Sequence, residues 1–211
     1  YDLEVLKQLG MNMLRKHVKV EPARLYYHCD RLGLLVWQDM PSGEAGKGGD
    51  QRASDEAAAQ FEADLKAMID GLYNHPSVIL WILFNEEWGQ FDTARLTAWT
   101  KAHDPTRLVC AVSCGKTYDA GDILDDHPYW IPRAMKPDGR RALVLGEFGG
   151  RSMVVPGHVV TEKDVWGHPG GTVLASPWEL TTHYVRQKRH VFAENEKGLC
   201  GAIYTQLTDV E

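Results

Sequence analysis

A chain of 211 residues is long enough for one domain with a full hydrophobic core. Its formal charge of -6 leaves no basic footprint for nucleic acid, and no apolar run approaches the roughly 18 residues of a membrane span. The opening "YDLEVLKQLG" has neither Met nor a signal peptide and begins inside a helical pattern, so a piece of a longer polypeptide is expected. Cys29, Cys110, Cys114 and Cys200 are scattered, with no CxxC pair, and are expected as free packed thiols rather than zinc ligands or disulfides.

Leu3, Val5, Leu6 and Leu9 predict a short helix ending near Gly10, followed by a strand over 11–18. "EPARLYYHCDRLG" (21–33) reads as a helix with Pro22 in its first turn and Gly33 past its end, and 34–40 as the next strand. After a Gly-rich loop, Ser54 starts a long helix with Phe61, Leu65, Met68, Ile69 and Leu72 on one face. The run Val78 to Phe84 is apolar without alternation, the mark of a strand covered on both faces. Asp92 is placed to cap a helix reaching about His103, and strands follow over 108–114, 122–130 and 142–150. Ser176-Pro177-Trp178-Glu179 forms a capping box for a helix to about Asn195, and the last strand begins at Gly198.

Seven strands alternating with helices imply a parallel sheet, either doubly wound or closed as a (β/α)₈ TIM barrel. Neither a GxGxxG nor a Walker-type loop follows the early strands. The polar residues gather instead at strand C-terminal ends: Arg15 and His17, Gln38 and Asp39, Asn85 and Glu86, Asp126 and His127, and Glu147. A barrel brings such ends to one mouth, so the expected fold is an α/β TIM barrel over 1–211. One strand and one helix short of eight are expected to lie before Tyr1 and after Glu211.

Glu86 and Glu147 end strands three apart in this count. Two carboxylates across one mouth are the equipment of glycoside hydrolysis, one protonated to donate to the leaving oxygen and one ionised to attack the anomeric carbon. The competing reading of each glutamate is a solvated strand-end charge or an ion-pair partner. "NHPSVILWILFNEEWG" resembles the acid/base segment of glycoside hydrolase family 2, "LVLGEFGG" its nucleophile strand, and "GMNMLRKHVKVEPARLYYHCDRLGLLVWQDMPS" its second and third strands. The three segments occur in the family's order, and the resemblance covers nearly the whole chain.

The resemblance implies Glu86 as general acid/base, Glu147 as nucleophile, Asn85 on the hydroxyl beside the anomeric carbon, and Arg15 below the sugar holding Glu147 ionised. Glu87 is the rival acid, ranked second because an extended strand would turn its side chain to the opposite face. Tyr129 resembles the tyrosine near the nucleophile in related barrels, and the bland reading is a packed strand-end aromatic. His127, Asp126, Asp39 and Gln38 are expected either to bind sugar hydroxyls or to serve as structural hydrogen-bonding groups. Trp166, with His168 in the long loop 151–175, is a candidate sugar platform or a cover for the barrel top. Val18 stands where the galactosidase branch has a substrate histidine, with His17 one position off. Gly43 and Ala45 stand where its magnesium ligands would fall, so neither metal nor cofactor is expected.

The expected activity is that of a retaining exo-β-glycosidase working through a covalent glycosyl-enzyme. The alternatives are another retaining endo-glycanase of the cellulase or mannanase kind, or a non-catalytic carbohydrate-binding barrel. Expected partners are a carbohydrate substrate and N-terminal β-sandwich domains of the same polypeptide, with neither nucleic acid nor membrane. The resemblance is compatible with a periplasmic or secreted location.

Overall fold

The computed structural model describes residues 1–43, 48–159 and 173–207, and the chain divides into two compact units, Tyr1–Asp125 and Asp126–Glu211. No helix among the described residues is long and apolar enough to cross a membrane.

The first unit alternates α1 (Asp2–Gln8), β1 (Met13–Lys16), α2 (Ala23–Leu32), β2 (Leu35–Asp39), α3 (Asp55–Leu72), β3 (Val78–Asn85), α4 (Thr93–His103) and β4 (Leu108–Ser113). Its four strands form one parallel sheet in chain order. All four therefore end at the same edge, with Lys16 beside Gln38, Asp39 beside Ile82, and Asn85 beside Ser113. β1 is shorter than the expected 11–18 because Val18 turns the chain into the left-handed region at φ 43°.

β3 sets the core. Trp81, Leu83 and Phe84 join Leu65, Met68, Ile69 and Leu72 of α3 in one buried cluster, and Leu80 and Ile82 are also buried. Phe61 stacks on Phe84 at 5.2 Å, and Phe91 meets both rings edge-on. Cys29 and Cys110 are buried as small core residues, and burial pushes the Cys29 thiol up to about 11.

Helix capping follows the sequence at two places and departs from it at a third. Ser54 Oγ accepts from Ala57 N at 3.2 Å, and Gly33 closes α2 in the left-handed conformation. Asp92 makes no side-chain cap for α4, although it occupies the cap position; its carboxylate goes to Arg95. Asp50 caps α4 from outside the helix, accepting from Thr93 N at 3.2 Å and from the Thr93 hydroxyl at 2.5 Å. A local rule cannot find a cap supplied from 43 residues away.

At the other edge of the sheet Arg107 ties the start of β3 to the start of β4. Its Nε donates to the Val78 carbonyl at 2.7 Å, and Nη2 donates to the carbonyls of Tyr73 at 2.6 Å and His75 at 3.1 Å. Its Nη1 donates to Asp104 at 2.9 Å, and the same carboxylate accepts from the Trp81 indole at 2.9 Å.

The second unit contains β6 (Ala142–Gly149), β7 (Ser152–Met153), β8 (Val173–Leu174), α5 (Pro177–Asn195) and β9 (Leu199–Thr205). The element between, β5 (Ile123–Asp126), carries the chain from the first unit into the second and stops well short of the expected 122–130. β6 and β9 pair in parallel, with Leu143 beside Leu199 and Phe148 beside Tyr204. Gly149 sits at φ 108°, and a Cβ there would meet the Tyr204 ring at 2.6 Å, so only glycine lets the two strands close. The Ser176 hydroxyl accepts from Glu179 N at 3.3 Å, and Glu179 reaches back to Ala175 N at 2.8 Å, one residue before the expected partner of a capping box. The short β7–β8 pair has no hydrophobic run to announce it in the sequence.

Burial alone would raise the Asp104 carboxyl, but hydrogen bonds from Thr106, Trp81 and Arg107 bring it from 3.8 down to about 2. A carboxyl lowered by folding stabilises the native state above its unfolded value and loses that effect as pH falls through the folded one. The shift from 3.8 to about 2 corresponds to about 2 kcal/mol. Urea unfolding of wild type and Asp104→Asn between pH 5 and pH 2 should show the wild type losing about that much more over this interval. Parallel curves would remove Asp104 as the source.

Candidate active site

The polar cluster at the C-terminal edge of the first sheet is built around a buried ion pair. Arg15 and Asp39 have side chains 2% and 1% exposed. Arg15 Nε donates to Oδ1 of Asp39 at 3.0 Å and Nη2 to Oδ2 at 2.8 Å, a two-pronged contact fixed by adjacent parallel strands. The Val18 amide adds 3.2 Å to Oδ2, and His17 Nδ1 lies 3.3 Å from it. Burial alone would raise the Asp39 carboxyl; the Arg15 charge and the bonds from His17 and Arg15 outweigh it and hold the group below its ordinary value. Asp39 thus sits where it orients Arg15, and its oxygens are already engaged. Gln38 is committed as well: it accepts the Tyr26 hydroxyl at 2.5 Å and donates to the Lys19 carbonyl at 2.8 Å.

Arg15 Nη2 also donates to the side-chain oxygen of Asn85, at 2.9 Å. This fixes which end of the amide is which: with the carbonyl taken, Asn85 is left to donate through Nδ2. The next two residues leave the strand. Glu86 and Glu87 have φ of 48° and 65°, a left-handed turn costly for residues with a Cβ, and such turns concentrate at functional sites. The Glu86 amide donates to the Ser113 carbonyl at 2.8 Å, so the turn is pinned to β4. The Ser113 hydroxyl in turn meets Asp125 at 2.5 Å.

The turn also changes the reading of Glu87. Its side chain does not follow the alternation of an extended strand, because the strand has ended. Its two oxygens accept the backbone amides of Gly48 at 2.6 Å and Lys116 at 2.9 Å, while Lys116 Nζ donates to the Gly48 carbonyl at 2.7 Å. A Cβ at Gly115 would meet Glu87 Cγ at 2.6 Å, so the neighbouring loop is shaped around this side chain. Glu87 joins loops. Sequence reasoning missed that role, since its partners lie 39 and 29 residues away.

In the second unit Glu147 occupies β6 at the point where the ladder with β9 is interrupted, between Leu145 and Phe148. Such irregularities re-aim a side chain out of the regular pleat. The Tyr129 hydroxyl donates to Oε2 of Glu147, and His127 Nδ1 lies 3.6 Å from Oε1 with its side chain 2% exposed. Tyr129 and His127 are therefore brought to Glu147. The His127 amide donates to the Asp126 carboxylate at 2.9 Å, and Trp130, one residue past Tyr129, stacks under Arg151 at 4.8 Å. Trp166 and His168 lie outside the described residues, as does Ala45.

The chain belongs to a known family: residues 1–137 match the model described as glycosyl hydrolases family 2, TIM barrel domain. It is 33% identical over 169 residues to a beta-galactosidase of Yersinia pestis bv. Antiqua, covering 70% of this chain and 16% of that protein. A beta-galactosidase of Klebsiella pneumoniae is 32% identical over 125 residues, covering 58% of this chain and 12% of that one. Among solved structures, a GH2 beta-galacturonidase from Eisenbergiella tayi superposes with a TM-score of 0.70 at 19% identity, over 97% of this chain and 39% of the other. That likeness shows the fold, an α/β barrel. The chain spans only 10% to 16% of the length of the curated relatives it matches, which are far longer proteins.

Replacing Asp39 by Asn would leave the Arg15 guanidinium buried without a counter-charge. Breaking one side of such a pair costs about 3–5 kcal/mol, and the urea midpoint should fall accordingly. A loss below about 1 kcal/mol would mean the pair is solvated rather than buried.

Proposed function

We propose that this chain carries the catalytic machinery of a retaining β-glycosidase acting on a sugar at the non-reducing end of its substrate. The observation that carries the reading is the setting of Glu147: a carboxylate at the C-terminal end of a barrel strand, lifted from the pleat, with a tyrosine hydroxyl on one oxygen and a buried histidine near the other. Family membership and the Asn85-Glu86 turn support it.

In this mechanism Glu147 attacks the anomeric carbon as Glu86 donates its proton to the leaving oxygen, giving a covalent glycosyl-enzyme. Glu86, now ionised, takes a proton from water, which attacks the same carbon and releases Glu147. Asn85 donates to the hydroxyl beside the anomeric carbon, and Arg15 and Asp39 act by holding that amide in its donor orientation. The left-handed turn at Glu86 takes the acid out of the strand. Tyr129 and His127 hold the nucleophile in one rotamer between turnovers. The substrate is a β-linked carbohydrate, and further domains of a longer polypeptide, β-sandwiches among them, are its expected neighbours.

Hydrolysis of a panel of aryl β-glycosides by the intact polypeptide tests the assignment. Glu147→Gln should lower kcat by about 10⁴-fold or more. Glu86→Gln should cost about 10²–10⁴-fold with a poor leaving group and less with an activated one. Activity that survives Glu147→Gln would sink the nucleophile assignment. Proton NMR of the first-formed sugar should show the anomer retained, and the inverted anomer would refute double displacement.

A further inference from the structure

α5 has a mostly polar surface with two polar side chains turned inward. Gln187 and Glu194 are 3% and 9% exposed, on a helix where Trp178 and Phe192 are 78% and 65% exposed. Seven residues apart, they lie on one face two turns along. Gln187 Nε2 donates to the carbonyl of Tyr129 at 2.9 Å, and Glu194 accepts from the amide of Ala134 at 3.0 Å. The two side chains thus grip the backbone of the segment 129–134 near both ends. The outer end of the grip is braced again by Lys197, which donates to the other Glu194 oxygen at 2.8 Å.

The inner grip has a chemical consequence. The residue whose carbonyl Gln187 holds is the one whose hydroxyl donates to Glu147. No regular secondary structure runs from the end of β5 at Asp126 to Ala142, so no strand ladder fixes Tyr129. The Tyr129 amide donates to the His127 carbonyl at 3.1 Å, a bond local to the same segment. The Gln187 side-chain oxygen is buried with no hydrogen-bond partner among the described residues, a penalty that hydrocarbon of the same size would avoid. The amide at this position therefore has its function in the Nε2 contact.

We propose that Gln187 is a positioning residue for the glycosidase reaction, setting the Tyr129 hydroxyl on the nucleophile through the Tyr129 backbone. This rests on the reading of Glu147 as nucleophile. Gln187 touches neither substrate nor reacting carboxylate; it acts through the turn of chain that carries Tyr129. A displacement of about 1 Å at a group contacting the nucleophile is enough to cost one to two decades in rate.

The test is a double-mutant cycle in the intact polypeptide on the aryl glycoside that the wild type hydrolyses fastest. Gln187→Met keeps the volume and removes the donor; it should lower kcat about 10-fold and change KM less than about 2-fold. In the Tyr129→Phe background the same substitution should have no further effect, because the hydroxyl it positions is gone. Multiplying penalties in the double variant, or an unchanged kcat in Gln187→Met, would overturn the proposal. Gln187→Glu supplies the second variant: closer in shape to glutamine than methionine is, it places an acceptor against the Tyr129 carbonyl. It should be slower than Gln187→Met, whereas a role in packing alone predicts the reverse. Should the wild type hydrolyse no glycoside, the proposed function falls, and a crystal structure of Gln187→Met decides this inference by itself. A Tyr129 hydroxyl displaced beyond hydrogen-bond distance of Glu147 supports it, and an unmoved contact overturns it.

Discussion

The first unit depends on one buried ion pair. Arg15 and Asp39 stand on neighbouring parallel strands, and together they are almost wholly out of water. Two desolvated charges need further hydrogen bonds, and here the Val18 amide, His17 and the Asn85 side chain supply them. The pair therefore transmits order rather than merely adding stability. Asp39 fixes Arg15, Arg15 fixes the amide of Asn85, and Asn85 is the last strand residue before the turn that carries Glu86. Each contact restricts the side chains at this edge of the sheet.

The second unit reaches a comparable end by different means. Glu147 is held by side chains from the segment after β5, which has no ladder of its own. Order there comes from a helix, through polar groups on its inner face that meet backbone rather than side chains. Aromatic packing of Phe148, Tyr204 and Tyr184 fixes the strand that bears Glu147, at ring distances of 5.4 Å and 5.1 Å. One unit thus relies on charge and the other on packing plus main-chain hydrogen bonds.

Two polar residues that the sequence offers to a site hold architecture together: Glu87 knits the loops around Gly48 and Lys116, and Gln38 serves Tyr26 and the Lys19 carbonyl. Asp92, read as a helix cap, yields that role to Asp50. Conversely, Gln187 lies in "HYVRQKRH", which reads as a solvated outer face. The faint signal there was a neutral amide among basic neighbours, with Glu194 two turns later on the same side. Acidic and amide side chains are ambiguous in this way because the same lone pairs serve a substrate hydroxyl or a backbone amide.

The strand-helix alternation, the doubly covered strand at Val78–Asn85, the helix starts at Ser54 and Ser176 and the family itself were legible in the sequence, because periodicity, caps and contiguous motifs are local properties. Glu86, Glu147 and Asn85 could be picked out as strand-end residues for the same reason. What only the tertiary structure decided was which polar atom faces which: the amide orientation of Asn85, the engagement of Asp39, the loop role of Glu87 and the hold of α5 on Tyr129. Those contacts join residues 21 to 70 positions apart, and their energies depend on burial and direction, which no linear pattern encodes.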